Sequence, residues 1–220
     1  MIISSISYKG GVGKTTIAQN LAVYYATKGY KVCIVDADNS QNSVMWTVNR
    51  ADIEPRIPAI PNDDFRTITK TITDLYEKDG YDIILIDSPP ALSRVASKII
   101  LSSHIVLIPV SVTGAQDLWT TQSLLEHYEE LQIEKGERIA AFFTINNYEP
   151  HIKLHQAALE TLEEFKSQFS IPILDSKLHR RSVYGEATSQ GLGVIECKNP
   201  KASNEIARLA EEILLVQETV

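Results

Sequence analysis

The chain has 220 residues, enough for one domain over residues 1–220 with a sizeable core. Hydrophobic residues make up 44% of it and charged ones 22%, a globular composition, and no run approaches the roughly 18 consecutive apolar residues of a membrane span. A net charge of −7 argues against a surface uniformly attractive to DNA but leaves room for a local basic patch. No basic region followed by a long apolar run opens the chain, so the cytoplasm is the expected location.

In chain order, Ile2–Ser7 reads as a short buried strand. A glycine-rich stretch follows, and then a helix over Thr16–Lys28, where Ile17, Leu21 and Tyr24 recur at helical spacing before Gly29. Lys31–Asp36 is a second strand, Ser40–Asn49 a short helix, and Pro55, Pro58 and Pro61 bracket an extended piece. Phe65–Lys78 is an amphipathic helix ending before Gly80, and Tyr81–Asp87 a buried strand. The pattern then gives a helix over Ser93–Ser102, a strand over His104–Val110, a long helix over Gln116–Lys135 and a strand over Arg138–Ile145. A helix over His151–Phe169, a short strand at Pro172-Ile173-Leu174 and an amphipathic helix over Ala202–Val216 complete it. The strands are continuous apolar runs, as expected where helices cover both faces of a parallel sheet. Their alternation with helices predicts an α/β fold with a single doubly wound, mostly parallel sheet.

The two cysteines form no CxxC pair, and Cys33, inside the strand Val32–Val35, reads as core. His151 and His155 are four apart, but without a third ligand they read as solvated helix residues.

Residues 8–16, Tyr-Lys-Gly-Gly-Val-Gly-Lys-Thr-Thr, lie between the first strand and helix, the setting that a phosphate-binding loop requires. Gly10, Gly11 and Gly13 allow the backbone to curl so that its N–H groups, including those of Val12 and Thr16, face phosphate oxygens. The helix N-terminus favours an anion. Lys14 is placed to neutralise the β- and γ-phosphates of a nucleotide, and the Thr15 hydroxyl to ligate Mg²⁺. The usual loop has a glycine five residues before Gly13, where this chain has Tyr8. It carries instead a second lysine, Lys9, in the form K-G-G-x-G-K-T-T.

In a doubly wound sheet, ligands lie beyond the carboxyl ends of the strands. Asp36 and Asp38 end the second strand and Asp87 ends Ile83-Ile84-Leu85-Ile86, so all three converge on the edge that carries the loop. Carboxylates there call for a cation, and hydrated Mg²⁺ is the natural one.

The two-lysine loop resembles the deviant Walker A loop of the ParA/MinD superfamily of P-loop ATPases, and the likeness extends over nearly the whole chain. It implies ATP and Mg²⁺ as cofactors and ATP hydrolysis as the activity. It implies that Lys9 reaches across an ATP-dependent homodimer to the partner's nucleotide, like an arginine finger in trans. Asp87, followed by Ser88-Pro89-Pro90, is similar to the Walker B element that holds Mg²⁺ through water. Val35-Asp36-Ala37-Asp38 is similar to the Walker A′ element, with Asp38 orienting the attacking water and Asp36 near the Mg²⁺ shell. Where the family continues with Pro-Gln and then a Ser two places on, this chain has Asn39-Ser40-Gln41-Asn42. Leu107–Val110 with Asp117-Leu118-Trp119 resembles the strand and helix at the dimer face. Arg180–Ala187, Gly191 and Val194-Ile195-Glu196 resemble the C-terminal motif, and the likeness places Asn146 near adenine.

Within that superfamily the compact chain resembles small plasmid-type partition ATPases. These imply non-specific DNA binding by the ATP dimer, with Lys177, Arg180 and Arg181, and also Lys198 and Lys201, as basic candidates. They also imply a ParB-like or other adaptor that stimulates hydrolysis. The final helix, acidic on its polar side, is expected to pack on the domain and not on a membrane. The alternative is a metabolic ATP-dependent ligase of the dethiobiotin synthetase type on the same scaffold.

Overall fold

The structure, a computed structural model, describes residues 1–91, 93–111 and 115–218, with the side chains of 115–119 and 154 outside that description. Among the described residues seven strands form one sheet: β1 (Ile2–Ser5), β2 (Val32–Asp36), β3 (Ala59–Pro61), β4 (Ile83–Asp87), β5 (Ile105–Ser111), β6 (Ala140–Tyr148) and β7 (Ile173–His179). All neighbouring pairs are parallel, in the order β3-β2-β4-β1-β5-β6-β7. The helices are α1 (Lys14–Thr27), α2 (Asn42–Asn49), α3 (Ile68–Glu77), α4 (Arg94–Ser102), α5 (Ala115–Lys135), α6 (Lys153–Phe169), α7 (Ser182–Ser189) and α8 (Pro200–Gln217), with a 3₁₀ turn at Val194–Glu196.

The apolar strands serve two cores at once, because successive side chains point to opposite faces. Cys33, Val35, Ile84, Ile86, Val106 and Ile108 join one core, together with residues of α3 to α6. Their neighbours Ile34, Ile83, Leu85, Ile105 and Leu107 join the other, with residues of α1, α2, α7 and α8. The expected doubly wound sheet is therefore the one observed, and β1 at its centre delivers the glycine-rich loop to the middle of the carboxyl edge.

The helix boundaries follow local chemistry. Ser93 accepts a hydrogen bond from Ala96 N at 3.2 Å and starts α4. Asn199 accepts from Ala202 N at 3.1 Å, with Pro200 at the first helical position of α8. The apolar face of α8, with Ile206, Leu209 and Ile213, is buried in the molecule as expected.

The C-terminal quarter differs from the sequence reading. The strand expected at Pro172–Leu174 runs to His179, and the Arg180–Ala187 motif contains a helix, α7, that was not expected. His155, expected to be solvated, is only 4% exposed, and its Nδ1 accepts from Glu149 N at 3.0 Å. His151 lies outside α6, so the two histidines do not share a helix face. Asp117, Leu118 and Trp119, matched to the dimer face, have side chains outside the described residues.

Candidate active site

Gly11 and Gly13 adopt φ of 77° and 100°, the left-handed backbone that bends the loop around its centre. Lys14, at the start of α1, turns back beneath the loop, where its Nζ donates to the carbonyls of Lys9 (3.1 Å) and Ser7 (3.3 Å). It is 6% exposed, and burial lowers its pKa, an effect that the charges of Asp87 and Asp38 oppose. Asn146, expected near adenine, stands at the end of β6 with its Nδ2 donating 2.7 Å to the Val12 carbonyl. In this arrangement it braces the loop. A Cβ on Gly13 would come within 2.0 Å of that same nitrogen.

The ends of β2 and β4 are paired, Asp36 beside Asp87, next to the start of α1. Thr15 Oγ1 donates to Asp87 Oδ1 at 3.1 Å, and Ser43 Oγ donates to Asp87 Oδ2 at 2.9 Å. Burial pushes the Asp87 carboxyl up to about 7, with the neighbouring Asp36 charge adding to it. Asp36 is also raised by burial, and its oxygens are committed to backbone donors: Oδ2 accepts from Ser43 N (2.8 Å) and Val44 N (3.0 Å), Oδ1 from Asp38 N (3.2 Å). Asp36 thus holds the first turn of α2 while standing beside Asp87, next to the expected Mg²⁺ shell. Asp38 lies in the following turn, where its Oδ1 accepts from Ser40 N at 2.9 Å.

Ser43 is the residue that sequence reasoning missed. A serine beginning a helix reads as a routine cap, whereas here its hydroxyl reaches across the site to Asp87. Thr15, Ser43 and Asp87 together present hard oxygen donors around one buried carboxylate, a set that fits Mg²⁺. Among the described residues no group of three or more His, Cys, Asp or Glu could hold a metal.

A cavity of about 480 Å³ opens beside the loop, lined by Lys9, Gly11 and Val12 and by Ser111, Asn147 and Arg180 from the ends of β5, β6 and β7. Arg180 Nη1 faces Glu149 Oε2 across 3.6 Å at this cavity. Lys177 and Arg181 belong elsewhere. With Lys201 and Arg208 of α8 they line a cleft of about 530 Å³, where Arg181 Nη2 pairs with Glu205 Oε1 at 2.5 Å. The structure therefore separates the basic candidates, with Arg180 beside the loop and Lys177, Arg181 and Lys201 in the β7–α8 cleft.

This geometry agrees with what the chain is similar to. The sequence profile of the CobQ/CobB/MinD/ParA nucleotide binding domain matches residues 3–194. Maintenance of carboxysome distribution protein A of Halothiobacillus neapolitanus is 27% identical over 213 residues, covering 94% of this chain and 93% of that one. The chromosome-partitioning ATPase Soj of Thermus thermophilus is 26% identical over 239 residues, covering 96% and 94%. Among solved structures, the septum site-determining protein MinD of Pyrococcus horikoshii, complexed with Mg-ADP, superimposes with a TM-score of 0.70 at 25% identity, covering 96% of this chain and 95% of that one.

Proposed function

This chain belongs to the CobQ/CobB/MinD/ParA nucleotide-binding domain family, and from that membership we propose that it works as an ATP-driven dimerisation switch that segregates DNA or positions a cellular cargo. It is an ATPase of the partition and positioning group, with ATP and Mg²⁺ as its cofactors. Acting as one domain over residues 1–220, it closes a homodimer on ATP, and the dimer holds DNA without sequence preference. A ParB-like or other adaptor then stimulates hydrolysis and releases it. In this scheme the protein is cytoplasmic and joins the nucleoid when ATP is bound.

The residues divide the work. The backbone of Gly10 to Thr16 cradles the phosphates, and Lys14 neutralises charge on the β- and γ-oxygens. Thr15 and Asp87 would hold Mg²⁺, and the bound ion would supply positive charge against the phosphates. Asp38 orients the attacking water. Lys9 completes the partner's site, so phosphate stabilisation depends on dimerisation.

The observation that carries this reading is the separation of the two lysines. Lys14 is buried under the loop, while Lys9 lines the open cavity at its mouth. Light scattering with ATP and with ADP tests it. Lys9→Ala should keep nucleotide binding and lose the ATP-dependent dimer. Unchanged dimers in that variant would remove the trans role of Lys9. A ligase of the dethiobiotin synthetase type would show neither ATP-dependent dimers nor ATP-dependent DNA retention at low salt.

A further inference from the structure

Two helices leave the nucleotide site, and one segment near the C-terminus grips both. Helix α1 starts with Lys14 and Thr15, and the first turn of α2 contains Ser43. Segment 191–196 lies against each. On α1, Asn20 Oδ1 accepts from Val194 N at 2.8 Å, and Val23 is so close that a Cβ on Gly193 would lie 2.8 Å from it. On α2, Trp46 Nε1 donates to the Leu192 carbonyl at 3.2 Å. Arg50, the residue that closes α2, is 2% exposed. Its guanidinium meets Glu196 as a fork, Nη2 to Oε1 at 2.7 Å and Nη1 to Oε2 at 2.8 Å, while Nη1 also donates to the Gly191 carbonyl at 3.0 Å. Glu196 Oε2 accepts Gly193 N at 2.8 Å as well.

Gly191 and Glu196 belong to a sequence motif that neither phosphate nor metal contact explains. Stability alone is a weak account of the fork. Removing a guanidinium and a carboxylate from water costs several kcal/mol, and an apolar pair of the same volume often serves as well. What an ion-pair fork supplies that an apolar contact does not is one fixed register between two elements. Here the element being fixed is α2, and its other end touches the metal-binding carboxylate.

We propose that Arg50 and Glu196 are positioning residues for the metal edge of the nucleotide site. By fixing α2 on segment 191–196 they hold the Ser43 hydroxyl at Asp87 and the Ser43 and Val44 amides at Asp36. Binding of Mg²⁺ with nucleotide and the order of segment 191–196 are then energetically coupled, and the coupling is reciprocal. This rests on the assignment of Thr15 and Asp87 as the Mg²⁺ edge.

The test uses ADP with Mg²⁺ or with EDTA, and amide hydrogen exchange. Glu196→Gln keeps the shape of the fork and removes its charge. It should leave ADP affinity in EDTA unchanged and reduce the gain in affinity on adding Mg²⁺ by about fivefold or more. Exchange over residues 42–46 should quicken by roughly tenfold. Reciprocally, Mg-ADP should slow exchange over 191–196 in the parent protein, and Ser43→Ala should abolish that protection. A folded Glu196→Gln protein with the full Mg²⁺ gain, or with equal losses in Mg²⁺ and EDTA, overturns the proposal. Should that variant fail to fold, Ser43→Ala decides alone, and protection of 191–196 equal to the parent's overturns it. A parent protein whose ADP affinity ignores Mg²⁺ would overturn the metal-edge assignment instead.

Discussion

Gly13 is the tightest single position in the loop, for two separable reasons. Its φ of 100° is strained for any residue with a Cβ, and that Cβ would meet Asn146 Nδ2 at 2.0 Å. The first effect costs roughly 1–2 kcal/mol, and displacing the Asn146 brace adds the loss of a buried hydrogen bond, about 1 kcal/mol. Gly13→Ala should therefore melt early and bind no ATP. Adding Asn146→Ala relieves the clash but not the backbone strain, so stability should return in part and ATP binding should not. Thermal melts and calorimetric titration check both, and equal instability of the single and double variants would show that Asn146 is not the obstacle. The loop's glycines and lysines were legible from spacing, because strand, turn and helix share one short stretch. The brace was not, since a carboxamide after a strand does not reveal which side of the loop it will face. The place of Asp36 at the strand end was legible too, whereas its hydrogen bonds to the backbone of α2 depend on a turn that only the fold defines.

Elements held by one residue give a prediction about pH. His104, immediately before β5, accepts the Ile2 N–H of β1 on its Nδ1 at 2.9 Å, so that nitrogen carries no proton in the fold. Burial lowers its pKa from the ordinary 6.5, and the chain's N-terminal ammonium adds to the effect. A histidine depressed in the folded state contributes stability above its unfolded pKa, and loses it as the pH falls through 6.5 towards the folded value. The buried Asp87 carboxyl, raised to about 7, works in the opposite direction over the same window, so the contribution of His104 is read as a difference: the stability advantage of the parent over His104→Gln should shrink as the pH falls from 8 to 5 through 6.5. A variant with the parent's slope would place the titrating group elsewhere. The central elements were legible because β2, β4 and β5 are buried on both faces and written mainly as apolar runs, while β1, Ile2-Ile3-Ser4-Ser5, was marked by the glycine-rich loop that follows it. The C-terminal elements lack that signature. β7 is an edge strand with only Leu174 and Leu178 buried, and α7 has eight residues of which Ala187 alone is buried, so neither carries a periodic stripe.

Across the whole molecule, charge distribution bears on the proposed hold on DNA. A chain of net charge −7 repels a polyanion on average, so any DNA surface must be local. The β7–α8 cleft is such a place. Lys201, Glu205 and Arg208 are spaced as one stripe along α8, facing Lys177 and Arg181 of the neighbouring segment. The cations there are not equivalent. Arg181 is bound through two nitrogens to Glu205, and Lys177 Nζ lies 5.0 Å from the centre of the Tyr148 ring. Lys201 and Arg208 are exposed and project from the helix. They are the groups best placed to displace counterions from a phosphate backbone. Each phosphate contact removed should shallow the slope of log affinity against log salt by about one. Lys201→Ala with Arg208→Ala should therefore weaken ATP-dependent DNA retention, flatten its salt dependence by about two, and leave nucleotide affinity intact. Arg180→Ala, on the cavity beside the loop, should do the reverse: alter nucleotide affinity and keep the salt slope. If the double variant retained DNA with the parent's slope, the cleft would not be the DNA surface.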